Sequence, residues 1–519
     1  MSRHHSEHPL YLLSSIRLRK LPFAPAAKSR NIPFHALCFP IKGEGTLLID
    51  GEVYKLAPFE LFYFSPGMNV TVCSPHEPIE YYVVLFAPMI VKQAGGKLSI
   101  EAASTLPHPL PQGRIPIRSA VQMLHAFRNL EAAAQSEPFA SRLELERLID
   151  ALTRQSPAGD RTLDERIEAS IGHMTKHMAS KLSLGQLAAA SRLAPSAYSR
   201  LFKKNTGMLP IEYLTDLRIE EAKKLLMQPD SRVKEVSASV GFCNEFYFSR
   251  TFQRITGVSP TLYMKRGRLR IAVASSMNFR DNLNSMGVEP VAAADLYQYP
   301  WMDDEAHRLL CRQQLQRLAE ERPDLIIGDH YHQEYRDDLK RIGPTVILDR
   351  SDWNWRLIHL KIAELASRER EAEHEIARLE VRAHEMRGKL RRLYGDDRVT
   401  VMQVNHRLVG IQGSGNHPLN ELLFTELGLR NGTLAPADSW RMEIEPELLP
   451  HFETDHIFIQ KHHLLAGSER IADRLQKTVS WNTNDAVRNN KVRWIPNWFV
   501  MSWTPNGRNQ IIDSLPAMT

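Results

Sequence analysis

The sequence predicts a multidomain protein in three parts: a small antiparallel β barrel, an all-α unit with two helix-turn-helix repeats, and a two-lobed α/β domain with a long interlobe helix. Three observations support this fold class. Val-, Tyr- and Phe-rich runs broken by turn signals come first, one pattern then occurs twice, and strands alternate with helices in the second half. At 519 residues the chain exceeds what one hydrophobic core usually holds.

A small antiparallel β barrel or jelly roll is predicted from residues 34–86, where short apolar runs are separated by turn signals such as Asp50-Gly51 and Ser65-Pro-Gly67. This order of strands and turns resembles the cupin-like sensing domains. Catalytic cupins bind a metal through three histidines and a carboxylate. His35 is the only histidine offered by the first strand, and Met68-Asn-Val70 stands where another is needed. We therefore expect a core or surface role for His35, and no metal.

The first domain is expected to end with helices, because apolar residues return to helical spacing over residues 112–152. Their apolar stripe fits packing on the barrel and a homodimer contact equally well. Gln155-Ser-Pro-Ala-Gly159 is typical of a linker. We place this cupin-like sensing or dimerisation domain at residues 1–155.

A repeated pattern defines a second domain at residues 161–267. The pattern Arg-x-Phe-x-x-x-Thr-Gly-x-x-Pro-x-x-Tyr begins at Arg200 and again at Arg250, and a short amphipathic segment and a turn precede each copy. A short helix, a turn and a second helix form the layout that places a recognition helix in the DNA major groove. Residues 210–227 contain no helix breaker, and they predict a connecting helix of about 27 Å.

The charge of this region favours nucleic-acid binding. Residues 161–268 hold 18 Lys and Arg against 10 Asp and Glu, a net charge of +8, whereas the whole chain carries +6. The basic excess is therefore local, as phosphate binding requires. With the doubled pattern, the run from Val240 to Pro260 resembles the AraC/XylS family of transcription regulators, whose DNA-binding region has two helix-turn-helix units joined by one helix.

The resemblance implies double-stranded DNA and RNA polymerase as partners, and it places one set of residues on the solvent side of the recognition helices. Arginine can bond guanine bidentately, whereas Lys203, Lys204 and Arg254 suit phosphates. Each residue alone also fits a solvated basic face. The predicted DNA-binding residues are Ser196, Ser199, Arg200, Lys203, Lys204, Asn244, Phe246, Tyr247, Arg250 and Arg254.

The third domain, residues 268–519, alternates strands with helices, which predicts parallel α/β layers with ligands at the carboxyl ends of the strands. The polar, nearly breaker-free stretch 368–394 predicts a helix between two lobes. Predicted strands are residues 270–276, 288–291, 323–328, 343–348, 399–404 and 456–459, and residues 492–515 are expected as a tail. This order resembles the periplasmic-binding-protein-like, ferric-siderophore class of ABC-importer binding proteins.

That resemblance implies a ferric siderophore as the effector ligand, with no further cofactor. Catecholate and carboxylate siderophores are anionic, so their site needs Arg or Lys with aromatic walls. The pairs His330/His332 and His462/His463 leave direct metal binding open, and each residue alone also fits an ordinary polar loop. Candidate ligand-binding residues at strand ends are Asn278, His330, Tyr331, His332, His406, Arg407, Trp440, Arg441 and Lys461.

These features predict a cytoplasmic, sequence-specific activator of iron-siderophore uptake genes, which resembles the bacillibactin-transport-regulator type of AraC protein. Four scattered cysteines, the lack of a signal-peptide pattern and the lack of a membrane-length apolar run favour this location. We expect no enzyme, because the cupin ligands, a nucleophile elbow and a P-loop are missing. In one alternative, the protein is a regulator that senses haem, cobalamin or a small molecule in the barrel, and the C-terminal lobes serve as a docking surface.

Overall fold

The computed structural model describes residues 8–21, 30–73, 78–94, 97–103, 110–117, 119–136, 138–154, 164–299, 302–349, 354–461 and 468–519. Backbone contacts divide the chain into two units, residues 1–159 with 373–386 and residues 160–372 with 387–519. In the ranges just given, no helix is both long enough and apolar enough to cross a membrane. The linker expected at residues 155–159 lies outside them.

The first unit contains two antiparallel sheets, as the alternation of apolar runs and turns predicted. One sheet has the order β1-β8-β3-β6-β10 with β9 beside β8, and the other has the order β2-β7-β4-β5. At the predicted hairpin turn between β4 and β5, Asp50 and Gly51 both have positive φ, 48° and 93°. The strands are β1 (His8–Leu21), β2 (Arg30–Asn31), β3 (His35–Lys42), β4 (Gly45–Ile49), β5 (Glu52–Leu56), β6 (Leu61–Phe64), β7 (Asn69–Cys73), β8 (Ile79–Ala94), β9 (Lys97–Ala102) and β10 (Gly113–Ile115).

Two helices, α1 (Ala120–Ser136) and α2 (Pro138–Arg154), pack their apolar stripe on the larger sheet. Phe127 of α1 stacks on Phe39 of β3 with ring centroids 5.1 Å apart. The stripe is therefore explained by packing on the barrel, and the homodimer stays a prediction. His35 is buried beside Tyr63, with Nδ1 2.6 Å from the hydroxyl, and burial lowers the pKa of His35. It is a core histidine.

The second unit begins with the all-α region that the repeat predicted. Gly207 and Gly257 follow the two recognition helices with left-handed φ values of 82° and 89°, which explains why Thr-Gly occurs in both copies. The helices are α3 (Glu165–His177), α4 (Leu184–Ala190), α5 (Pro195–Thr206), α6 (Pro210–Leu226), α7 (Val233–Ser239), α8 (Glu245–Thr256) and α9 (Pro260–Lys265), followed by a 3-10 turn at Arg266–Arg268.

Equivalent residues of the two repeats form equivalent cores. Phe202 and Phe252 are fully buried, and each ring meets the tyrosine of its own repeat, Tyr213 at 5.4 Å and Tyr263 at 5.3 Å between centroids. The connecting helix is α6, with 17 residues. Two helix-turn-helix units joined by one helix are thus confirmed.

Lobe 1 is built on a parallel sheet of order β12-β11-β13-β14, as the strand–helix alternation predicted. The second strand begins at Ala292 instead of residue 288, because Pro290 has no N–H to donate to the ladder. The lobe contains β11 (Ile271–Ala274), α10 (Phe279–Ser285), β12 (Ala292–Ala294), α11 (Asp304–Glu320), β13 (Leu325–Asp329), a 3-10 turn (His330–Tyr335), α12 (Arg336–Ile342), β14 (Thr345–Leu348) and α13 (Trp355–Ala366).

The predicted long helix is α14 (Glu369–Tyr394), and lobe 2 follows it. Lobe 2 has a mixed sheet of order β18-β16-β15-β19-β20, with β17 beside β15. Its elements are β15 (Arg398–Val404), β16 (Val409–Gln412), α15 (Pro418–Asn420), a π-helical turn (Glu421–Glu426), β17 (Arg430–Asn431), β18 (Arg441–Ile444), a 3-10 turn (Pro446–Leu448), β19 (His456–Lys461), α16 (Ser468–Gln476), α17 (Val479–Asn482), α18 (Asp485–Arg488), β20 (Val492–Trp494), α19 (Trp498–Met501), α20 (Pro505–Ser514) and a 3-10 turn (Leu515–Ala517).

Lobe 2 differs from the expected layout in two places. β16 returns antiparallel to β15, because the Asn405 side-chain oxygen accepts hydrogen bonds from the N–H groups of Arg407 and Leu408, at 2.8 and 2.7 Å, and closes a hairpin. The expected tail is also wrong. Residues 492–515 form β20, α19 and α20, which are anchored by the buried Trp498 and Trp503.

Candidate functional site

The recognition helices α5 and α8 place most of the predicted DNA-binding residues at the surface. On α5, Ser199 is partly buried and the other predicted residues are exposed, as is every predicted residue on or beside α8. The exposed residues are Ser196, Arg200, Lys203, Lys204, Asn244, Phe246, Tyr247, Arg250 and Arg254. The surface is available to DNA, and the individual contacts stay predictions.

Asn244 has a structural task that the sequence analysis did not assign. It is the N-cap of α8, and its side-chain oxygen accepts hydrogen bonds from the N–H groups of Phe246 and Tyr247 at 2.8 and 3.1 Å. N-caps are the position at which Asn is most favoured in helices. Since this oxygen is occupied, it is not free to accept a bond from a base.

A charged junction connects the DNA-binding region to lobe 1. Lys223, on α6, lies 2.7 Å from Glu364 of α13 and 2.7 Å from Glu220. Arg266 lies 2.7 Å from Glu369 and donates to the Glu364 carbonyl oxygen at 3.3 Å. Burial disfavours the charge of Lys223, but hydrogen bonds to Glu220 and Glu364 outweigh burial and raise its pKa. Lobe 1 therefore binds both the connecting helix and the end of the second repeat.

Helix α13 extends from this junction to lobe 2. Near its start, Arg356 lies 2.7 Å from Glu421 and 2.8 Å from Glu426, both in the π-helical turn of lobe 2. Arg508 is buried, with its guanidinium carbon 4.4 Å from the Trp355 ring centroid, and it lies 2.7 Å from Glu426. The 12 residues of α13 span about 18 Å. One helix therefore contacts lobe 2 at one end and the DNA-binding region at the other.

In lobe 1, the buried carboxylate of Asp329 holds the carboxyl ends of β11 and β13 together. It accepts five hydrogen bonds, from Ser275 Oγ (2.8 Å), Ser276 N (2.7 Å), Met277 N (3.0 Å), Tyr331 N (3.1 Å) and His332 Nδ1 (2.7 Å). The first three donors follow β11 and the last two follow β13. The hydrogen bonds of Asp329 therefore fix the backbone of both strand-end loops.

His332 was predicted to bind the ligand, but its ring has a structural role inside lobe 1. It is fully buried, its Nδ1 donates to Asp329, and its Nε2 accepts from the N–H of Leu296 at 2.9 Å. Both ring nitrogens are used inside lobe 1, so His332 neither faces a ligand nor forms a metal-binding pair with His330. Its task is to tie the loop after β12 to β13.

A wall of aromatic rings lies at the same strand ends. His330 and Tyr331 have ring centroids 3.9 Å apart, and Tyr297 lies 5.2 Å from Tyr331 and 4.9 Å from Tyr299. Tyr299 donates to Asp295 at 2.5 Å, and burial together with this bond raises the pKa of Tyr299. Tyr297 and Tyr299 were not among the predicted residues, although two tyrosines within a few residues of a strand end could have indicated them.

In lobe 2, the predicted ligand residues Arg441 and Trp440 lie side by side, and their role in ligand binding stays a prediction. The Arg441 guanidinium carbon lies 4.5 Å from the Trp440 ring centroid, and its N–H groups donate to Gln403 and Glu443. Burial lowers the pKa of Arg441, and this effect is opposed by Glu443 and by Tyr331 of lobe 1. Arg441 and Trp440 thus form a cation–π pair at the start of β18.

Two buried glutamines continue the polar surface around Arg441. Gln412 pairs with Arg441 across the sheet, and Gln403 pairs with Gly410, so these side chains share one face. A side chain at Gly410 would lie 2.8 Å from Arg441, which explains the glycine. Gln403 Nε2 and Gln412 Oε1 form no hydrogen bond with any part of the chain that the structure describes. Buried amide groups without partners are rare, so both suit a bound ligand.

The remaining predicted ligand residues within the described ranges are Asn278, His406, Arg407 and Lys461. Asn278 is exposed with a φ of 57° just before α10. His406 is partly buried and Arg407 is exposed in the hairpin after β15. Lys461 ends β19 beside the end of β15. The predicted pair at residues 462 and 463 lies outside the described residues.

Family models match three successive parts of the chain. Residues 28–153 match an AraC-like ligand binding domain, residues 187–266 match a helix-turn-helix domain, and residues 313–497 match a periplasmic binding protein. This order is the order of the three folds along the chain.

Known proteins resemble the chain over these parts. The HTH-type transcriptional activator Btr of Bacillus subtilis (strain 168) is 29% identical over 485 residues, 88% of this chain and 88% of that protein. Staphylococcus aureus SirA complexed with staphyloferrin B matches 49% of this chain and 93% of its own, with 19% identity and a TM-score of 0.39. The arabinose operon regulatory protein of Escherichia coli (strain K12) is 30% identical over 235 residues, 44% of this chain and 79% of that regulator. With that identity over most of a known regulator, the chain belongs to the AraC-type family of helix-turn-helix transcription regulators.

Proposed function

We propose that this protein is a cytoplasmic activator of iron-siderophore uptake genes and that a ferric siderophore bound between its lobes switches it. The observation that carries the proposal is α13, which contacts both the DNA-binding region and lobe 2 of the predicted ligand-binding domain. The similarity over 88% of the chain to a transcriptional activator supports activation. The periplasmic binding protein match over residues 313–497 supports a captured small ligand.

The ligand is held by binding chemistry alone, with no enzymatic step. Tyr297, Tyr331 and Trp440 offer ring faces to planar chelating groups. Arg441 donates charge-assisted hydrogen bonds to ligand oxygens, and the amides of Gln403 and Gln412 supply neutral ones. The ferric ion is cargo that arrives with its own ligands, so the chain need not coordinate it.

Closure of the lobes around the ligand reaches DNA through α13. The ligand repositions the π-helical turn of lobe 2, to which Arg356 is bonded. The other end of α13 is bonded to Lys223 and Arg266, so the movement is passed to the connecting helix and the second repeat. Ligand binding thereby shifts the population toward the DNA-competent state.

We further propose three partners besides the siderophore: double-stranded DNA, RNA polymerase and a second copy of the chain. Two recognition helices contact successive major grooves of double-stranded DNA, and RNA polymerase is recruited at the promoter. The N-terminal domain, residues 1–155, is the proposed homodimer contact. Residues 161–267 bind DNA, and residues 268–519 bind the siderophore.

Tryptophan fluorescence of the full chain tests the ligand, because all eight tryptophans lie between residues 301 and 503. Catecholate, carboxylate and hydroxamate siderophores are titrated with and without iron. One ferric siderophore should quench the tryptophan fluorescence saturably and more strongly than its iron-free form does. Arg441→Ala should weaken the affinity for that ferric siderophore about tenfold or more. Arg470→Ala, at an exposed position on α16, is the matched control and should change nothing. A folded chain that responds to no ferric siderophore would contradict the proposed ligand.

A further inference from the structure

We propose that Phe246 is a base-reading residue of the second recognition helix and that its ring contacts the 5-methyl group of a thymine. This inference rests on the DNA-binding part of the proposed function. Phe246 is 79% exposed, more than any other large apolar side chain in the described ranges. Phenylalanine is among the residue types most often buried, and the ring of the adjacent Tyr247 is 62% exposed as well, so two neighbouring aromatic side chains face solvent at the start of α8.

The exposure of Phe246 is set by the orientation of α8. The helix buries Phe248 and Phe252 on the opposite side. Phe246 shares its own side with Arg250 and Arg254, which follow at four and eight residues and are exposed. An apolar ring in line with two guanidinium groups is complementary to DNA, whose groove combines base edges with flanking phosphates.

The position of Phe246 is that of a base reader. The first residues of a recognition helix reach the base edges, and Phe246 is the second residue of α8. The 5-methyl group of thymine is the apolar group that base edges present in the major groove. The Asn244 cap fixes the first turn from which the ring projects, through its bond to the Phe246 N–H at 2.8 Å. Tyr247 differs, because its ring also packs 5.9 Å from that of Phe242.

The internal repeat supplies a matched control. The copies are offset by 50 residues, which places Ser196 of α5 at the position equivalent to Phe246. Serine has no apolar ring to contact a methyl group. The two half-sites should therefore differ, with a methyl-dependent thymine contact in the half-site that α8 reads.

The test begins with selection of binding sites for the full chain from random duplex DNA. Each thymine of the selected site is then replaced, one at a time, by deoxyuridine, which removes only the methyl group. At one thymine in one half-site, the replacement should weaken binding by about threefold to tenfold. With Phe246→Ala the same replacement should have no further effect, whereas Phe246→Leu should keep part of it.

The controls separate this inference from DNA binding in general. Ser196→Ala should leave the methyl dependence unchanged, and Phe246→Ala should still bind DNA through its remaining contacts. The inference is overturned if Phe246→Ala keeps the full methyl dependence. It is likewise overturned if that variant binds the selected DNA normally but activates transcription poorly in vitro, which assigns the ring to RNA polymerase. A wild-type chain that selects no sequence would instead contradict the DNA-binding function.

Discussion

Lys223 and Glu364 lie 2.7 Å apart, and this ion pair joins the helix between the two recognition units to lobe 1. Their side chains are 14% and 18% exposed, so solvent screens their attraction less than that of a surface pair. Glu364 is near the end of α13, and Arg356 near its start is bonded to lobe 2. In the proposed mechanism, a movement between the lobes reaches the DNA-binding region through this pair.

Removing the pair should separate ligand binding from its effect on DNA. In a double-mutant cycle of Lys223→Met and Glu364→Gln, urea unfolding should give a coupling free energy of about 1–3 kcal/mol, because each partner is partly buried and keeps only its second countercharge, Glu220 or Lys361. Both variants should bind DNA and ferric siderophore, while the siderophore changes DNA affinity less than in the wild type. Lys224→Met, at a side chain 74% exposed, is the control. Strictly additive effects would contradict the coupling.

Asp329→Asn should destabilise the two strand-end loops that the Asp329 carboxylate holds together. An amide in place of the carboxylate puts a donor either against the N–H groups of Ser276 and Met277 or, in the flipped orientation, against the N–H groups of Tyr331 and the His332 ring. We expect a loss of about 2–4 kcal/mol in the free energy of unfolding of the third domain, followed by tryptophan fluorescence. Asp337→Asn, at an exposed position on α12, should cost little. Equal stabilities of the two variants would show that the five-bond cluster is not a support.

The stability of the chain should fall at mildly acidic pH because of buried histidines. Burial lowers the pKa of His359 to about 4, below its ordinary value of 6.5. Between these values the unfolded chain binds more protons than the folded chain, so the free energy of unfolding decreases as pH falls, by at most about 1.4 kcal/mol per unit.

Urea unfolding from about pH 7 to about pH 5 measures this slope. His359→Gln should reduce it, whereas His451→Gln, at an exposed histidine, should not. An unchanged slope in His359→Gln would assign the pH dependence to other groups, of which His417 is the first candidate, because burial and the nearby Arg441 and Arg508 lower its pKa to about 3.

Arg250 and Lys204 should affect DNA binding in different ways. Arg250→Ala should reduce the free energy of DNA binding by about 1–3 kcal/mol and relax the sequence preference at one base pair. Lys204→Ala should weaken all sequences alike and reduce the slope of log affinity against log salt concentration by about 1. Fluorescence anisotropy on the selected site and on single-base variants, at several salt concentrations, distinguishes the two. A sequence-independent loss in Arg250→Ala would contradict base reading by Arg250.

Local sequence patterns were enough to predict the architecture. Apolar periodicity predicted the barrel and the alternating lobes, and the doubled pattern predicted the paired helix-turn-helix units, because each of these signals comes from residues close in the chain. Gly207 and Gly257 were informative for the same reason, since the left-handed end of a helix is a local requirement. The exact ends of elements were predicted less accurately: the strand expected from residue 288 begins at Ala292, after Pro290.

Contacts between distant segments were beyond the reach of those patterns. His332 was predicted to bind the ligand but is hydrogen-bonded to Asp329 and Leu296, while Gln403 and Gln412 were not among the predicted ligand residues. Nothing in the sequence around Lys223 or Glu364 indicates that they meet. Burial and the packing of elements far apart in sequence choose these partners, and periodicity carries no information about which elements will pack together.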